Sequence, residues 1–363
     1  MIPSTMHAVL LKGHGDLDML EYREDVETPT PQQGDVLIKV EAAGVNNTDL
    51  NTRLGWYSKS DSEADATWTG APLGFPRIQG IDVCGVIVAV GPTVDESRIG
   101  QRVLVEPCLV EMHGKELSPP WFLGSECNGG FAGYCVVASR HAHMIDCPLT
   151  SVELASFPCS YSTAENMLVR SNVQSTDRVL IVGASGGVGS AAMQLAKARG
   201  ATVVAVTTSI AKADRLKDAG ADEVVLQSSL LETPGSESVD VVVDLVAGPQ
   251  FPEYLEVLKR GGRYAVSGAI AGPIVELDVR TLYLKDLSFF GCTSLEPEVF
   301  PNLVSYIQDG KIKPLVAKSY PLRDIQQAQK DFAAKKHVGK LVLDVQSTKA
   351  DESCVGKRTE GWG

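Results

Sequence analysis

The sequence predicts an α/β protein with two domains, a β-barrel domain followed by a doubly wound parallel sheet. A glycine-rich turn at residues 183–189 separates an apolar run from a helical stretch, and strand-like and helical segments alternate after it. Before about residue 149 the chain instead runs in short β-rich pieces. With 363 residues, of which 44% are hydrophobic, the chain is long enough to bury a core in each domain.

The N-terminal region has the pattern of an all-β domain of barrel type. Its β-rich segments are broken by Gly and Pro, and we find no helical period of any length among them. The predicted strands cover residues 8–11, 36–45, 83–90, 102–105 and 133–137.

The glycine-rich turn has the form of a strand, a phosphate-binding turn and a helix. Apolar residues 179–182 precede it and a helical stretch, 190–199, follows it. Gly183 and Gly186 let the backbone turn tightly and approach a pyrophosphate, and Gly189 lets the helix start pack against the strand. The free N–H groups and the positive end of that helix favour phosphate. The predicted nucleotide-binding residues are Gly183, Ser185, Gly186, Gly187, Val188 and Gly189.

The next predicted strand, residues 201–206, indicates which nucleotide binds. An NAD site usually places an Asp or Glu about 20 residues beyond the glycines, where it accepts a hydrogen bond from the ribose 2′-hydroxyl. This chain has hydroxyls there, followed by two cations, and such groups bind a 2′-phosphate. NADP(H) is therefore favoured over NAD(H), although the two cations are also compatible with a solvated helix face. The residues are Thr207, Thr208, Ser209, Lys212 and Arg215.

Strands and helices continue to alternate beyond this point, which implies right-handed crossovers and a doubly wound sheet. In such a sheet the ligand lies at the C-terminal ends of the strands, where Thr207, Asp244 and Gly268 fall. The predicted strands are 223–226, 239–245, 262–267 and 287–291, with a helix at 251–258.

The end of the chain is predicted to return to the first domain, through helices at 300–310 and 323–335 and a strand at 339–345. The predicted domains are 1–155 completed by 300–346, a nucleotide-binding domain at 156–299, and a polar tail at 347–363.

Composition excludes several classes of function. A net charge of −12 without a basic run argues against nucleic acid or an anionic membrane surface as a partner. No apolar run reaches the roughly 18 residues that span a bilayer, and the N-terminus has no charged segment leading into an apolar one. The eight cysteines contain no Cys-x-x-Cys pair, which is typical of reduced thiols. We expect a soluble, cytoplasmic protein that acts on a small-molecule substrate.

Five segments occur in an order that identifies a family. They are 44–49 (Gly-Val-Asn-Asn-Thr-Asp), 80–87 (Gly-Ile-Asp-Val-Cys-Gly-Val-Ile), 129–134 (Gly-Gly-Phe-Ala-Gly-Tyr), the turn at 183–189, and 339–343 (Gly-Lys-Leu-Val-Leu). Together they resemble the medium-chain dehydrogenase/reductase superfamily over residues 7 to about 345. The resemblance implies a GroES-like β-barrel domain and a Rossmann domain that binds a nicotinamide cofactor.

The zinc-dependent alcohol dehydrogenases of that superfamily hold a catalytic zinc with side chains that this sequence largely lacks. Asn46 stands where a Cys ligand is expected, Ile81 stands where a His is expected, and only Cys159 matches a ligand position. One thiolate cannot build a three-ligand open site. His141 and His143 could face one side of an extended segment, but neither matches a ligand position. We therefore predict no bound metal.

The resemblance then points to the zinc-independent, quinone oxidoreductase-like branch, in which hydride passes to a conjugated carbonyl or quinone. By position it implies catalytic roles for Asn46, Asp49 and Tyr57, and cofactor contacts for Thr163 and Lys340. Asn46 can donate to a carbonyl oxygen, and Tyr57 can donate a hydrogen bond or a proton. The alternative is that Asn-Asn-Thr-Asp is an ordinary turn or helix cap.

Two long segments, 56–77 and 108–126, have the length of either substrate lids or loose surface loops.

The apolar predicted edge strand 287–291 suggests a homodimer formed by edge-to-edge pairing. Two other functions remain open besides an NADPH-dependent reductase. One is a zinc-free alcohol or carbonyl dehydrogenase, and the other is a non-catalytic nucleotide-binding relative.

Overall fold

The structure is a computed structural model that describes residues 1–57, 67, 72–337 and 339–347. The chain forms two compact units, one of Met1–Cys159 with the chain from Pro314 onward, and the other of Ser160–Lys313. None of the helices in the described ranges has the length and apolar character that a bilayer crossing needs.

The first unit is a β-sheet domain with short helices. Its strands are β1 (Thr5–Leu11), β2 (Leu20–Glu27), β3 (Asp35–Gly44), β4 (Arg77–Ile78), β5 (Asp82–Val90), β6 (Arg102–Val105), β7 (Cys108–Met112), β8 (Lys115–Phe122), β9 (Tyr134–Ala138), β10 (Ala142–Met144), β17 (Val316–Pro321) and β18 (Lys340–Asp344). Its helices are α1 (Asn47–Leu54), α2 (Ser151–Leu154) and α9 (Ile325–Ala333).

The strands of this unit pair into the sheet expected of a GroES-like domain. The main sheet has the order β10-β6-β5-β3-β18-β17, with β9 also paired to β3. A second sheet has the order β2-β1-β4. The five strands predicted for this region are present as β1, β3, β5, β6 and β9. Val40, Ile87 and Phe131 are fully buried in one shared apolar core.

Helix α1 corrects the prediction that this region has no helix. It has only eight residues, so it is too short for a visible apolar period. Its ends are nevertheless well defined, since Asn46 is the N-cap and Gly55 ends the helix with a left-handed φ of 69°. The Asn-Asn-Thr-Asp segment is therefore a helix cap as well as a candidate site.

The segment 108–126 is neither a lid nor a loose loop over most of its length, because β7 and β8 form an antiparallel hairpin. Its two-residue turn, His113 and Gly114, has positive φ at both positions, as a tight hairpin requires. The tip is pinned to the barrel, since His113 Nδ1 lies 2.6 Å from Oδ2 of the buried Asp35. In the other segment, residues 58–66 and 68–71 lie outside the described residues.

The second unit is the doubly wound sheet that the sequence predicts. Its strands are β11 (Arg178–Val182), β12 (Thr202–Thr207), β13 (Glu223–Leu226), β14 (Val239–Asp244), β15 (Leu258–Val266) and β16 (Ser288–Gly291). Its helices are α3 (Pro158–Arg170), which begins in the first unit, α4 (Gly187–Ala198), α5 (Ala213–Asp218), α6 (Phe251–Glu256), α7 (Val279–Leu284) and α8 (Val299–Gln308).

The six strands are parallel and have the order β13-β12-β11-β14-β15-β16. Valine-rich β11, β12 and β14 are buried because helices cover both faces of such a sheet. Successive strands are added on one side of β11 up to β13 and on its other side from β14 onward, and ligands bind at this switch point between β11 and β14 in these folds.

The boundary between the units differs from the predicted one. The second unit runs to Lys313, so α8 belongs to it and not to the discontinuous first domain. Helix α8 belongs to the second unit because of its tertiary contacts. Asn302 on α8 donates to Glu165 of α3 at 3.2 Å, and Phe300 and Leu303 on the apolar face of α8 are buried. The first unit is completed by residues from Pro314, with α9 and β18.

Candidate active site

A buried polar cluster lies at the start of α1 in the first unit. We call Asn46, Asp82 and Lys340 the buried triad. Lys340 Nζ lies 2.5 Å from Asn46 Oδ1 and 2.7 Å from Asp82 Oδ2, and Asn46 Nδ2 donates to Asp82 Oδ2 at 2.8 Å. All three residues are at most 6% exposed. A buried ion pair of this kind is retained only with such complete hydrogen bonding.

Strand register brings the triad together. β3 pairs with β5 and with β18, so that Gly44 lies opposite both Asp82 and Val342. Gly44 itself is required there, because a Cβ at this position would lie 2.4 Å from Asp82 Oδ2. The second oxygen of Asp82 accepts from the backbone N–H of Cys159 at 2.5 Å. The triad thus fixes the end of β3 and the start of α1.

Asp49 lies in the first turn of α1 with its carboxyl group buried. Its Oδ2 accepts from the backbone N–H of Asn46 at 2.8 Å. Burial raises the pKa of Asp49 to about 7, the charge of Asp82 adds to this rise, and the hydrogen bond from Asn46 opposes it. Asp49 can therefore hold or release a proton near neutral pH.

Two hydroxyl groups lie on the outer side of α1. The hydroxyl of Tyr57 donates to Thr48 Oγ1 at 3.1 Å, and both residues are half-buried. The Trp56 and Tyr57 rings meet edge to face, with 5.4 Å between centroids. Thr48 was not among the predicted site residues, and one of the two O–H groups of this pair is left to donate to a ligand.

The three positions aligned with zinc ligands offer an amide, a hydrocarbon and a thiol, at Asn46, Ile81 and Cys159. Asn46 Oδ1 already accepts from the Lys340 ammonium, so a cation bound there would meet a positive charge. These donors do not fit a three-ligand zinc site. Elsewhere, the described ranges contain no group of three or more His, Cys, Asp or Glu that could hold a metal ion.

His141 and His143 face one side, as expected, but both contact a carboxylate. His141 Nδ1 lies 3.0 Å and His143 Nε2 lies 3.2 Å from Glu106 Oε2. Nε2 of His141 accepts from the backbone N–H groups of Val110 and Glu111. Both ring nitrogens of His141 are therefore engaged in holding β7 against the barrel.

The phosphate-binding turn of the second unit has two glycines that geometry requires. Gly183, directly after β11, has a left-handed φ of 75°. A Cβ on Gly189 would lie 2.2 Å from the carbonyl oxygen of Gly183, so only glycine allows α4 to begin this close to the turn. Gly186 differs, because a Cβ built on it would lie 3.4 Å from its nearest neighbour, the carbonyl oxygen of Gly183. Its lack of a side chain leaves space that a phosphate could occupy.

Beside this turn, Asp244 at the end of β14 is fully buried and structural. Its Oδ1 accepts from the N–H groups of Val246 and Ala247, and its Oδ2 accepts from the Tyr264 hydroxyl at 2.5 Å. Gly268 approaches the same loop, because a Cβ there would lie 2.7 Å from the carbonyl oxygen of Leu245. Both carboxylate oxygens of Asp244 thus shape the loop at the switch point.

The residues predicted to contact a 2′-phosphate follow β12, and the structure separates their roles. The Thr207 hydroxyl donates to the carbonyl of Ser209 and accepts from its N–H, so it is engaged within the turn. Thr208, Lys212 and Arg215 are exposed. In the described part of the chain, neither Lys212 nor Arg215 has an ion-pair partner. A hydroxyl and two cations are thus available to an anion here.

The structure therefore brings Asn46, Asp49, Tyr57 and Lys340 together around α1, and groups the glycine turn with residues 207–215 and Gly268 in the second unit. Thr163 lies on α3 in the second unit and is half-buried. Sequence reasoning missed Asp82. The available signal was a carboxylate between Ile81 and Val83 in an apolar strand, which implies a buried cation as partner.

Two family models match the chain. The alcohol dehydrogenase GroES-like domain matches residues 32–147, and the zinc-binding dehydrogenase domain matches residues 187–309. The acryloyl-coenzyme A reductase of Metallosphaera sedula is 32% identical, over 93% of this chain and 99% of the relative. The quinone oxidoreductase of Lama guanicoe is 29% identical, over 93% of this chain and 97% of the relative.

Among solved structures, a protein of Sinorhizobium meliloti described as a candidate alcohol dehydrogenase superposes with a TM-score of 0.87. It is 45% identical in sequence, and the match covers 94% of this chain and 97% of that chain. The same order of barrel and doubly wound sheet is therefore shared over nearly the whole length of both chains.

Proposed function

We propose that this chain is an NADPH-dependent reductase of conjugated carbonyl or quinone substrates. The chain belongs to the medium-chain dehydrogenase/reductase superfamily and to its quinone oxidoreductase-like branch, which supports this proposal. The reaction uses no metal. The observation that carries this proposal is the site around α1. The positions of the zinc ligands hold an amide, a hydrocarbon and a thiol, while hydroxyl and carboxyl groups lie on and next to α1.

NADPH is supported as the cofactor by two features of the second unit. The cradle formed by Gly183, Gly186 and the first turn of α4 fits a pyrophosphate. Lys212 and Arg215 are exposed cations without an ion-pair partner in the described chain, at the strand end where a ribose phosphate would lie. When bound, the reduced nicotinamide supplies the hydride.

The residues around α1 then have separate tasks. When hydride reaches a conjugated carbonyl, negative charge develops on the substrate oxygen and needs a donor. We assign that role to the Tyr57 hydroxyl, which donates to Thr48 in the structure and would turn its single O–H to the substrate while the Thr48 hydroxyl donates to Tyr57 in return. Asn46 is less suited than the sequence alone indicates, because its Nδ2 donates to Asp82 and also faces the carbonyl of Gly44 at 3.4 Å. Asn46 is a positioning residue that holds α1.

Replacement of the Tyr57 hydroxyl tests this assignment. Tyr57→Phe should lower turnover of NADPH with a simple enone by about a hundredfold, because it removes the donor to the developing oxyanion. The dissociation constant of NADPH, measured by fluorescence, should stay unchanged. Thr48→Ser is the matched control, since it keeps a hydroxyl beside Tyr57. Wild-type turnover in Tyr57→Phe would reject Tyr57 as the donor.

The second candidate function, a zinc-free alcohol dehydrogenase, is favoured by the 45% identity to the Sinorhizobium meliloti protein. The same preparation should be assayed with NADP and a panel of primary and secondary alcohols. Reduction of NADP by alcohols without NADPH oxidation by enones or quinones would select this function. No turnover in either direction would leave a nucleotide-binding relative without catalysis. We propose a homodimer in the cytoplasm as the setting in either case.

A further inference from the structure

A cavity of about 500 Å³ opens on the surface of the first unit, and none of the residues assigned to the reaction lines it. Strand β18 separates the two places. Lys340 of the buried triad begins this strand, whereas Val345, in the wall of the cavity, directly follows its end. A strand of this length spans about 16 Å, so the cavity is a second place where a ligand could bind. Its volume is within the range of roughly 300 to 1,000 Å³ that is typical of small-molecule sites.

Two cations in the wall of this cavity have no ion-pair partner among the described residues. They are Lys39 on β3 and Arg323 in the turn before α9, and both are exposed. Glu24 is the one acidic residue of the wall, and it accepts from the Tyr22 hydroxyl at 3.3 Å. Two cations against one carboxylate make the wall positive on a chain whose net charge is −12. This local reversal of sign favours an anionic ligand.

Three flat rings lie in the same wall. The His7 and Tyr22 rings have 6.4 Å between centroids and are tilted by 30°. The Arg323 guanidinium lies over the Tyr22 ring, 6.0 Å from its centroid, and this cation–π contact leaves its N–H groups for a ligand. Tyr134 lies opposite Lys39 where β9 pairs with β3, so both side chains are on one face of the sheet. Each cation therefore has aromatic surface beside it.

The His7 ring is held in place by contacts of the protein itself. Its Nε2 lies 3.0 Å from the carbonyl oxygen of Val345, and Nε2 carries the hydrogen because a carbonyl only accepts. A Cβ on Gly133 would lie 3.2 Å from Cε1 of His7, so glycine at this position leaves room for the ring. The wall is thus preformed, as in most small-molecule sites.

We propose that this cavity binds a small organic anion in which a carboxylate is joined to an aromatic ring. The carboxylate pairs with the Arg323 guanidinium, whose planar fork matches two carboxylate oxygens, and with the ammonium of Lys39. The aromatic ring packs against Tyr22 and Tyr134. This site goes beyond the proposed function and does not depend on it, because no residue around α1 takes part.

Calorimetry of the full chain at pH 7 with 2-naphthoate tests the proposal. One 2-naphthoate should bind per chain, and saturating NADPH should leave its dissociation constant unchanged. Binding of 2-naphthamide, which lacks the charge, and of cyclohexanecarboxylate, which lacks the aromatic ring, should each be weaker by about tenfold. Arg323→Gln and Lys39→Gln should each weaken 2-naphthoate by about tenfold as well, because each removes a charge-assisted contact.

Lys115→Gln is the matched control, since Lys115 is an exposed cation on β8 of the same unit and does not line the cavity. It should change the dissociation constant by less than about twofold. The proposal would be overturned by no binding of 2-naphthoate at about 1 mM, where even weak sites fill, or by equal binding of 2-naphthamide. Unchanged affinity in both cavity variants, an equal loss in Lys115→Gln, or displacement by NADPH would also overturn it. Because no turnover is measured, these outcomes leave the proposed function untouched.

Discussion

At the scale of single residues, the carboxyl group of Asp49 shows how burial sets the chemistry of this site. Asp49 has a pKa of about 7 because its charged form is desolvated and lies near Asp82, while the Asn46 N–H stabilises it only in part. The folded state therefore keeps a proton between about pH 4 and pH 7 that the unfolded state has lost. Asp49 stabilises the fold least when it is ionised.

The pH dependence of stability tests this property. Because the folded protein binds more protons across this window, the free energy of unfolding should fall as pH rises from about 4 to 7, by up to about 1.4 kcal/mol per pH unit, and level off above it. Asp49→Asn mimics the protonated form and should lack this component. Urea unfolding of both proteins from pH 4 to 8 measures the difference, and parallel curves would show that Asp49 does not titrate there.

Also at the residue scale, Lys212 and Arg215 should decide the choice of cofactor. Replacing both by Ala should weaken NADPH by more than about tenfold and leave NADH nearly unchanged, because only NADPH has a 2′-phosphate. Lys217→Ala, on the same helix as Arg215, is the control for general charge. Equal losses for both cofactors would mean that these residues only support the local fold.

At the scale of elements, the strand–turn–helix formed by β11, the glycine turn and α4 depends on close backbone approach. The sequence predicts this element because the glycines, the apolar strand and the helix are neighbours along the chain. The structure adds that Gly189 is required by the fold, whereas Gly186 has room for a methyl group. The two glycines can therefore be separated by experiment.

Gly189→Ala should destabilise the protein by about 1–3 kcal/mol, because its Cβ would overlap the carbonyl oxygen of Gly183. Gly186→Ala should leave the free energy of unfolding nearly unchanged, since its φ of −80° suits alanine, but it should weaken NADPH. Chemical unfolding and NADPH titration of both variants measure this contrast. Equal destabilisation by the two substitutions would contradict it.

At the scale of the whole molecule, the second unit exposes an apolar surface at one edge of its sheet. β16 is the edge strand, and Phe289 on it is 38% exposed. Ile270, Ile274 and Tyr283 of the same unit are more exposed still. An exposed aromatic side chain on an edge strand, in a unit with further exposed apolar residues, favours pairing with a second copy of the chain.

The purified protein should accordingly have a mass in solution of twice the 38.7 kDa of one chain. Phe289→Lys should shift it towards the monomer, because a charge on the edge strand opposes pairing. Ile99→Lys changes an exposed apolar residue of the first unit and should leave the mass unchanged. Light scattering after gel filtration measures both, and a monomeric wild-type protein at micromolar concentration would count against the dimer.

The sequence by itself determined the features whose causes are local. Strands β11 to β14 follow from runs of β-branched residues bounded by turns, and the phosphate turn follows from glycines at fixed spacing. The order of five short motifs identified the family, since each motif lies within a few residues of chain. The helix α1 and the β7–β8 hairpin were missed because α1 is too short for a period and the hairpin contains Pro119 and Pro120 in its second strand.

Only the tertiary structure decided which residues meet. Asn46 and Lys340 are 294 positions apart, and no periodicity links them. They meet with Asp82 because β3 pairs with both β5 and β18, and the energetic reason is that a carboxylate buried in a sheet requires a cation within hydrogen-bond reach. The same folding engages the side chain of Asn46, the donor that the sequence predicts, in hydrogen bonds with Asp82 and Lys340.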